Sequence, residues 1–123
     1  MMQMLEKGVE TDVPKTVDTN ISTIEIALLI YPDCQLAAIY GLTDLFSLAS
    51  SWAMALEGRA GETGIRISHW KMEGDTVACI WDSHPGEPHA LRYVIAPPSI
   101  VMPEKMQSMT PASQWLSAQH AEG

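Results

Sequence analysis

Two cysteines, four histidines and a few placed aspartates carry the chemistry available to this 123-residue chain. Cys34 follows the apolar run Ile24–Tyr31 and the stop Pro32-Asp33, a position near the mouth of any crevice at a strand end. A thiol there becomes a sensing or reactive group only where a cation or a helix N-terminus lowers its pKa. The plainer reading, and the favoured one, is a small side chain that fills space. Cys79 falls inside an alternating segment, Thr76–Trp81, where a buried thiol is inert. Neither cysteine belongs to a CxxC or Cys/His spacing, so both read as free thiols. Asp82, His84 and His89 offer carboxylate and imidazole ligands. They frame a Pro- and Gly-rich stretch without a rigid scaffold and read as solvated loop residues, so neither metal nor cofactor is expected. His69 alternates with Ile67 along a strand and reads as a satisfied, partly buried histidine.

Other chemistries find little support. There is no Gly-x-Ser-x-Gly elbow and no glycine-rich phosphate loop. Gly58-Arg59-Ala60-Gly61 reads as flexible loop. Trp52, Trp70, Trp81 and Trp115 fall at periodic positions and are expected in the core or at an interface. The formal charge of −8 repels phosphate, which argues against nucleic-acid binding by this chain. No run approaches the ~20 apolar residues of a membrane span. The opening Met-Met-Gln-Met-Leu-Glu-Lys puts charge where a secretory signal needs apolar residues, so a cytoplasmic protein is expected.

The elements that must hold these residues follow from periodicity. Residues 1–22 mix acidic and basic side chains with few large apolar groups and read as a flexible acidic tail. Ile24–Tyr31 has the length and Ile content of a strand buried on both faces. Leu42, Leu45, Phe46, Ala49, Trp52, Ala53 and Leu56 keep helical spacing, predicting an amphipathic helix that begins near Leu36 and packs on that ridge. Ile65–Met72 and Thr76–Trp81 form a hairpin about Glu73-Gly74-Asp75, and Tyr93–Ala96 is a short buried strand. Thr110 and Pro111 open a last helix with Ala112, Trp115 and Leu116 on its buried ridge, and Gly123 stands at the C-cap. The order is α/β: a mostly parallel sheet with a hairpin insertion, its ligand crevice near Tyr31–Leu36 and Ala96–Ser99.

Ile26–Leu36, followed by Gly41 and Asp44-Leu45-Phe46, resembles the opening of the ThiJ/PfpI-like superfamily of class I glutamine amidotransferase-like domains. Ile67–Trp70, Tyr93–Ser99 and Gln114–Gly123 are similar to the subgroup at the N-terminus of AraC-type transcriptional regulators. The resemblance covers residues 24–123 and implies a partial flavodoxin-like sandwich, with 23–123 the N-terminal part of such a domain. It also marks departures. The family's acid maps to Ala38, which can neither polarise a thiol nor activate water, and its helix-opening proline maps to Leu42. The Pro-Gly-Gly turn reads Pro97-Pro98-Ser99, and Pro98 has no N–H for an oxyanion. The cysteine elbow that follows in the family, and the regulators' helix-turn-helix, lie beyond the matching segment.

The resemblance thus implies no catalytic residues, and a ligand pocket drawn from Asp33, Cys34, Ala38, Asp44, Pro98 and Ser99. It implies a non-enzymatic effector-sensing or dimerisation module of an AraC-like regulator, without the DNA-binding part. The alternative is a fragment or diverged member of a cysteine-dependent hydrolase, amidase or hydratase. The expected partners are a small-molecule effector and a second copy, or another chain, over the open sheet.

Overall fold

The computed structural model describes residues 23–122; the expected tail and Gly123 lie outside them. The elements run β1 (Ile24–Ile30), α1 (Leu36–Leu56), β2 (Ile65–Glu73), β3 (Thr76–Asp82), β4 (Leu91–Ile95), a 3₁₀ turn (Pro103–Lys105) and α2 (Thr110–Glu122). One sheet has the order β3-β2-β1-β4. β1 pairs in parallel with β2 and β4, and β3 runs antiparallel to β2. The α/β class and the hairpin insertion are as the sequence predicts.

β1 is central because its apolar run leaves no face for water; every residue from Glu25 to Ile30 is buried. Alternation along the strands then assigns the two faces. Leu28 lies opposite His69, and the His69 ring meets Thr43 and Tyr40 of α1. Leu29 lies opposite Trp70, whose ring stacks at 5.3 Å on Trp115 of α2. One helix therefore covers each face. Leu28, Leu29, Ile39 and Ile67 are fully buried, each contributing about 1.5–3 kcal/mol of burial.

The hairpin turns at Gly74, whose φ of +61° suits glycine. His69 pairs with Trp81 but Trp70 with Cys79, so Ile80 is an extra residue in β3 and the strand bulges there.

α1 departs from expectation. Its inward line is Ile39, Leu42, Phe46, Ser50 and Met54, with Thr43 alongside, so of the expected ridge Leu42 and Phe46 pack on the core while Leu45, Trp52 and Leu56 do not. Ser50 Oγ accepts from the N–H groups of Gly64 (2.9 Å) and Ile65 (3.0 Å), which anchors the start of β2. Leu45, Leu48, Trp52 and Leu56 are exposed, Trp52 at 66% and Leu56 at 82%. A polar Ser50 inside and a Trp52 outside is the reverse of what a helical ridge predicts.

Candidate functional site

Two groups of side chains stand at opposite ends of the sheet. At the carboxyl end of β1, the chain turns through Asp33 in the left-handed region, at φ +63°. That turn is stitched to the segment after β4. Gln35 N–H donates to the Pro98 carbonyl at 2.8 Å, Ile100 N–H to the Asp33 carbonyl at 2.8 Å, and the Tyr31 hydroxyl to the Pro97 carbonyl. Cys34 and Ser99 form an isolated antiparallel bridge. Together these bonds shape a crevice of about 400 Å³ lined by Tyr31, Asp33, Cys34, Tyr40, Lys71 and Ile80, among others.

The sequence-predicted residues divide there. Asp33 and Cys34 line the crevice, and Pro98 and Ser99 hold its rim through backbone bonds. Ala38 is half-buried in the first turn of α1, and Asp44 is exposed further along that helix; neither lines the crevice. Cys34 is buried, and no imidazole is among the lining residues. Burial, and then the nearby Cys34 sulfur, raise the pKa of Tyr31, which keeps its hydroxyl a donor to Pro97.

The second group lies at the amino ends of β1 and β2: Asp82, expected in a solvated loop with His89, ends β3 and is 10% exposed, while Glu25 and Arg66 were not singled out from the sequence. Glu25 and Arg66 are register partners on adjacent strands, buried with side-chain exposures of 3% and 5%. The Arg66 guanidinium grips both oxygens of Asp82, Nε to Oδ1 at 3.0 Å and Nη2 to Oδ2 at 2.6 Å. It also donates to the carbonyls of Glu87 (2.9 Å) and Pro88 (2.8 Å), pinning the loop that leads to His89. The His84 N–H adds a bond to Asp82 Oδ1 at 2.9 Å. The Arg66 bonds, together with the His84 N–H, outweigh burial and hold the Asp82 pKa at about 2.

Donor–acceptor logic fixes the rest. Trp70 Nε1–H can only donate, and it reaches Ser68 Oγ at 2.9 Å. Ser68 then donates its own proton to Glu25 Oε2 at 2.8 Å, while the Ala90 N–H takes Oε1 at 2.9 Å. Glu25 is thus an ionised acceptor, so the 2.7 Å contact with His89 Nδ1 is donated by the ring. His89 Nε2 faces Asp82 Oδ2 at 3.8 Å. Cys79, Asp82 and His89 each offer a ligand atom, all within 4.8 Å of one another.

His84 and His89, read alike as loop residues, separate here. His84 bonds to Ser83, whereas His89 joins the buried network. The signal that marks the network in sequence is a charge inside each apolar strand, Glu25 in β1 and Arg66 in β2. His69 behaves as expected: buried, satisfied by Thr43 at 2.8 Å, its pKa lowered by desolvation. Both cysteines are free, and burial, the largest influence, raises the Cys79 pKa.

Fold and site thus define an α/β chain with an open, four-stranded mixed sheet, a crevice at one end and a buried ionic network at the other. No family model, curated protein or solved structure matches the chain. Among the described residues, no helix is long and apolar enough to cross a membrane.

Proposed function

We propose that the chain is a non-enzymatic regulatory module, one that senses a small effector in the β1–α1 crevice and dimerises through α1. The observation that carries this reading is the outward face of α1. Asp44 is the single charged residue in its 21 residues, and Leu45, Leu48, Trp52 and Leu56 form an exposed apolar stripe. A surface helix ordinarily turns a charged face to water. Such a stripe marks a covered surface, and the proposed cover is the same stripe of a second copy. An almost uncharged helix lets two chains of net charge −8 meet without like charges opposed. Tyr93, the register partner of Ile26, adds exposed aromatic surface on β4, an edge strand with pairing capacity of its own.

The crevice supplies the sensing half. About 400 Å³ lies in the range of small-ligand pockets, with Asp33 and Lys71 as polar contacts on a largely apolar lining. The sequence resemblance to the N-terminal domains of AraC-type regulators supports the same reading, and Ala38 in place of the family's acid supports a non-catalytic one. The ThiJ/PfpI-like, flavodoxin-like assignment and a cytoplasmic setting belong to this proposal.

A cysteine-dependent hydrolase is the second reading. Its one favourable observation is the sequence Cys79, His89, Glu25, a thiol, an imidazole and a carboxylate in one cluster. The Cys79 thiol donates to the Trp81 carbonyl at 3.3 Å and its pKa is raised, so it is held as a weak nucleophile.

Sedimentation analysis tests the first reading. The wild-type chain is expected to sediment as a dimer, and the Leu48→Glu, Trp52→Glu double variant as a folded monomer. A wild-type monomer at tens of micromolar, or operator-length DNA bound with steep salt dependence, sinks it.

A further inference from the structure

The pairing of His89 with Asp82 is the least satisfied contact in the buried network. With Nδ1 donating to Glu25, the neutral form of His89 carries its lone pair on Nε2, on the side of Asp82. Asp82 Oδ1 already accepts two bonds, but Oδ2 accepts only from Arg66 among the described residues. In that form two acceptors face each other at 3.8 Å, beyond hydrogen-bond range, and Cys79 belongs to the same cluster of ligand atoms. A ring proton satisfies this pair at low pH, and a cation bridges it when the ring is neutral.

We propose that Cys79 Sγ, Asp82 Oδ2 and His89 Nε2 bind a zinc-type divalent cation, with Glu25 orienting the imidazole. The donor set of thiolate, imidazole and carboxylate selects zinc and its neighbours over magnesium or calcium. Ligands bonded at about 2.0–2.3 Å stand roughly 3.3–3.6 Å apart around a tetrahedral ion. The observed separations, 3.8 Å for His89 to Asp82 and 4.8 Å at most for the set, contract to that by about 0.2–0.5 Å and at most about 1.5 Å.

Three features of the surroundings fit a metal. A carboxylate on the non-ligating imidazole nitrogen is the usual outer-shell arrangement of metal-bound histidine, and buried Glu25 supplies it. The ligands are held: Cys79 and Asp82 sit on β3, and Arg66 pins the loop before His89 through the Glu87 and Pro88 carbonyls. Charge also balances. Glu25 and Asp82 against Arg66 leave one negative charge, the Cys79 thiolate adds a second, and a divalent ion neutralises both. On binding, the Cys79 S–H proton leaves to solvent and the sulfur lone pair forms the metal bond. Of the three ligands, His89 borders a groove of about 510 Å³ lined also by Trp70, Arg92, Gln119 and Glu122, and is 32% exposed there.

The full, reduced chain titrated with Co²⁺ tests the proposal. The expected result is one equivalent bound with a thiolate-to-cobalt charge-transfer band, displaced by Zn²⁺. Cys79→Ser abolishes the band, His89→Gln weakens binding at least about tenfold, and Glu25→Gln weakens it about 10–100-fold. Cys34→Ser leaves the titration unchanged. Absence of the band, or its persistence in Cys79→Ser, overturns the site. Should Cys79→Ser fail to fold, the wild-type chain decides: Zn²⁺ must slow alkylation of Cys79, mapped by mass spectrometry. Equal alkylation with and without Zn²⁺ overturns the proposal. Dimerisation through α1 is read separately, so failure of either reading leaves the other standing.

Discussion

Replacing Asp82 by Asn isolates the contribution of its charge at nearly constant shape. The native pKa of about 2 lies below the ordinary 3.8, chiefly through the Arg66 hydrogen bonds. At 1.36 kcal/mol per pKa unit, that difference is worth about 2 kcal/mol of folding free energy. The side chain is 10% exposed, so solvent screens little of it. The sign follows from linkage. A depressed carboxylate pKa stabilises fully above the unfolded value, and the stabilisation is lost as pH falls from about 4 through about 2. An Asn side chain resembles the protonated acid, so D82N lacks the stabilisation at every pH. Urea denaturation with a metal chelator present measures it. At pH 7, D82N is expected to unfold about 1–2 M earlier, taking a slope of about 1–2 kcal/mol per molar urea. The gap should close as pH approaches 2, and carboxylates common to both proteins cancel in the difference. A gap that stays constant between pH 7 and pH 3, or none at pH 7, refutes the assignment of the charge to the Arg66 pair.

Ile39→Ala opens a cavity beneath α1 and should cost about 2–5 kcal/mol in the same assay. Ser50→Ala strips the acceptor from two N–H groups at the start of β2 and should cost about 1–3 kcal/mol, with faster hydrogen exchange at Gly64 and Ile65. Buried, neutral His69 must charge in acid; its lowered pKa means stability is full above about 6.5 and declines below it, a decline that His69→Gln should remove. Native-state alkylation should modify Cys34 slowly, because the residue is buried; modification as fast as that of a free peptide thiol refutes this placement.

Strand periodicity was readable because β1 buries both faces and β2 alternates, so hydrophobic pattern and backbone agree. β3 ran one residue further than expected, to Asp82, and β4 began at Leu91 because pairing with Glu25 draws Leu91 and Arg92 into the sheet. The face of α1 was misassigned for a physical reason. Ser50 turns inward to serve the N–H groups of the next strand, a demand that helical spacing does not encode. That Asp33 and Cys34 line a crevice, with Pro98 and Ser99 bonded at its rim, was legible since strand ends in α/β sheets lie where loops converge. Asp44 was placed by family position alone, and the helix turns it to solvent. The ionic network escaped because Glu25 and Arg66 are 41 positions apart and become neighbours only through parallel register.

That register also explains why the network belongs where it is. A glutamate alone in β1 would be an uncompensated buried charge, costly enough to shift its protonation or open the strand. Arg66 neutralises it, but the same guanidinium takes Asp82 in its fork, so the cluster again carries an excess negative charge. Replacing the whole cluster with apolar residues would often be neutral or stabilising. The network is therefore poorly explained as a stabilising device. Its bonds do accomplish something more specific. Arg66 fixes two carbonyls of the Glu87–Pro88 segment, Glu25 fixes one ring nitrogen of His89, and the other nitrogen faces Asp82 Oδ2, with Cys79 in the same cluster. An arrangement that spends its bonds on gathering a thiol, a carboxylate and an imidazole fits a ligand site better than a folding element, and it stands at the end of the sheet opposite the crevice.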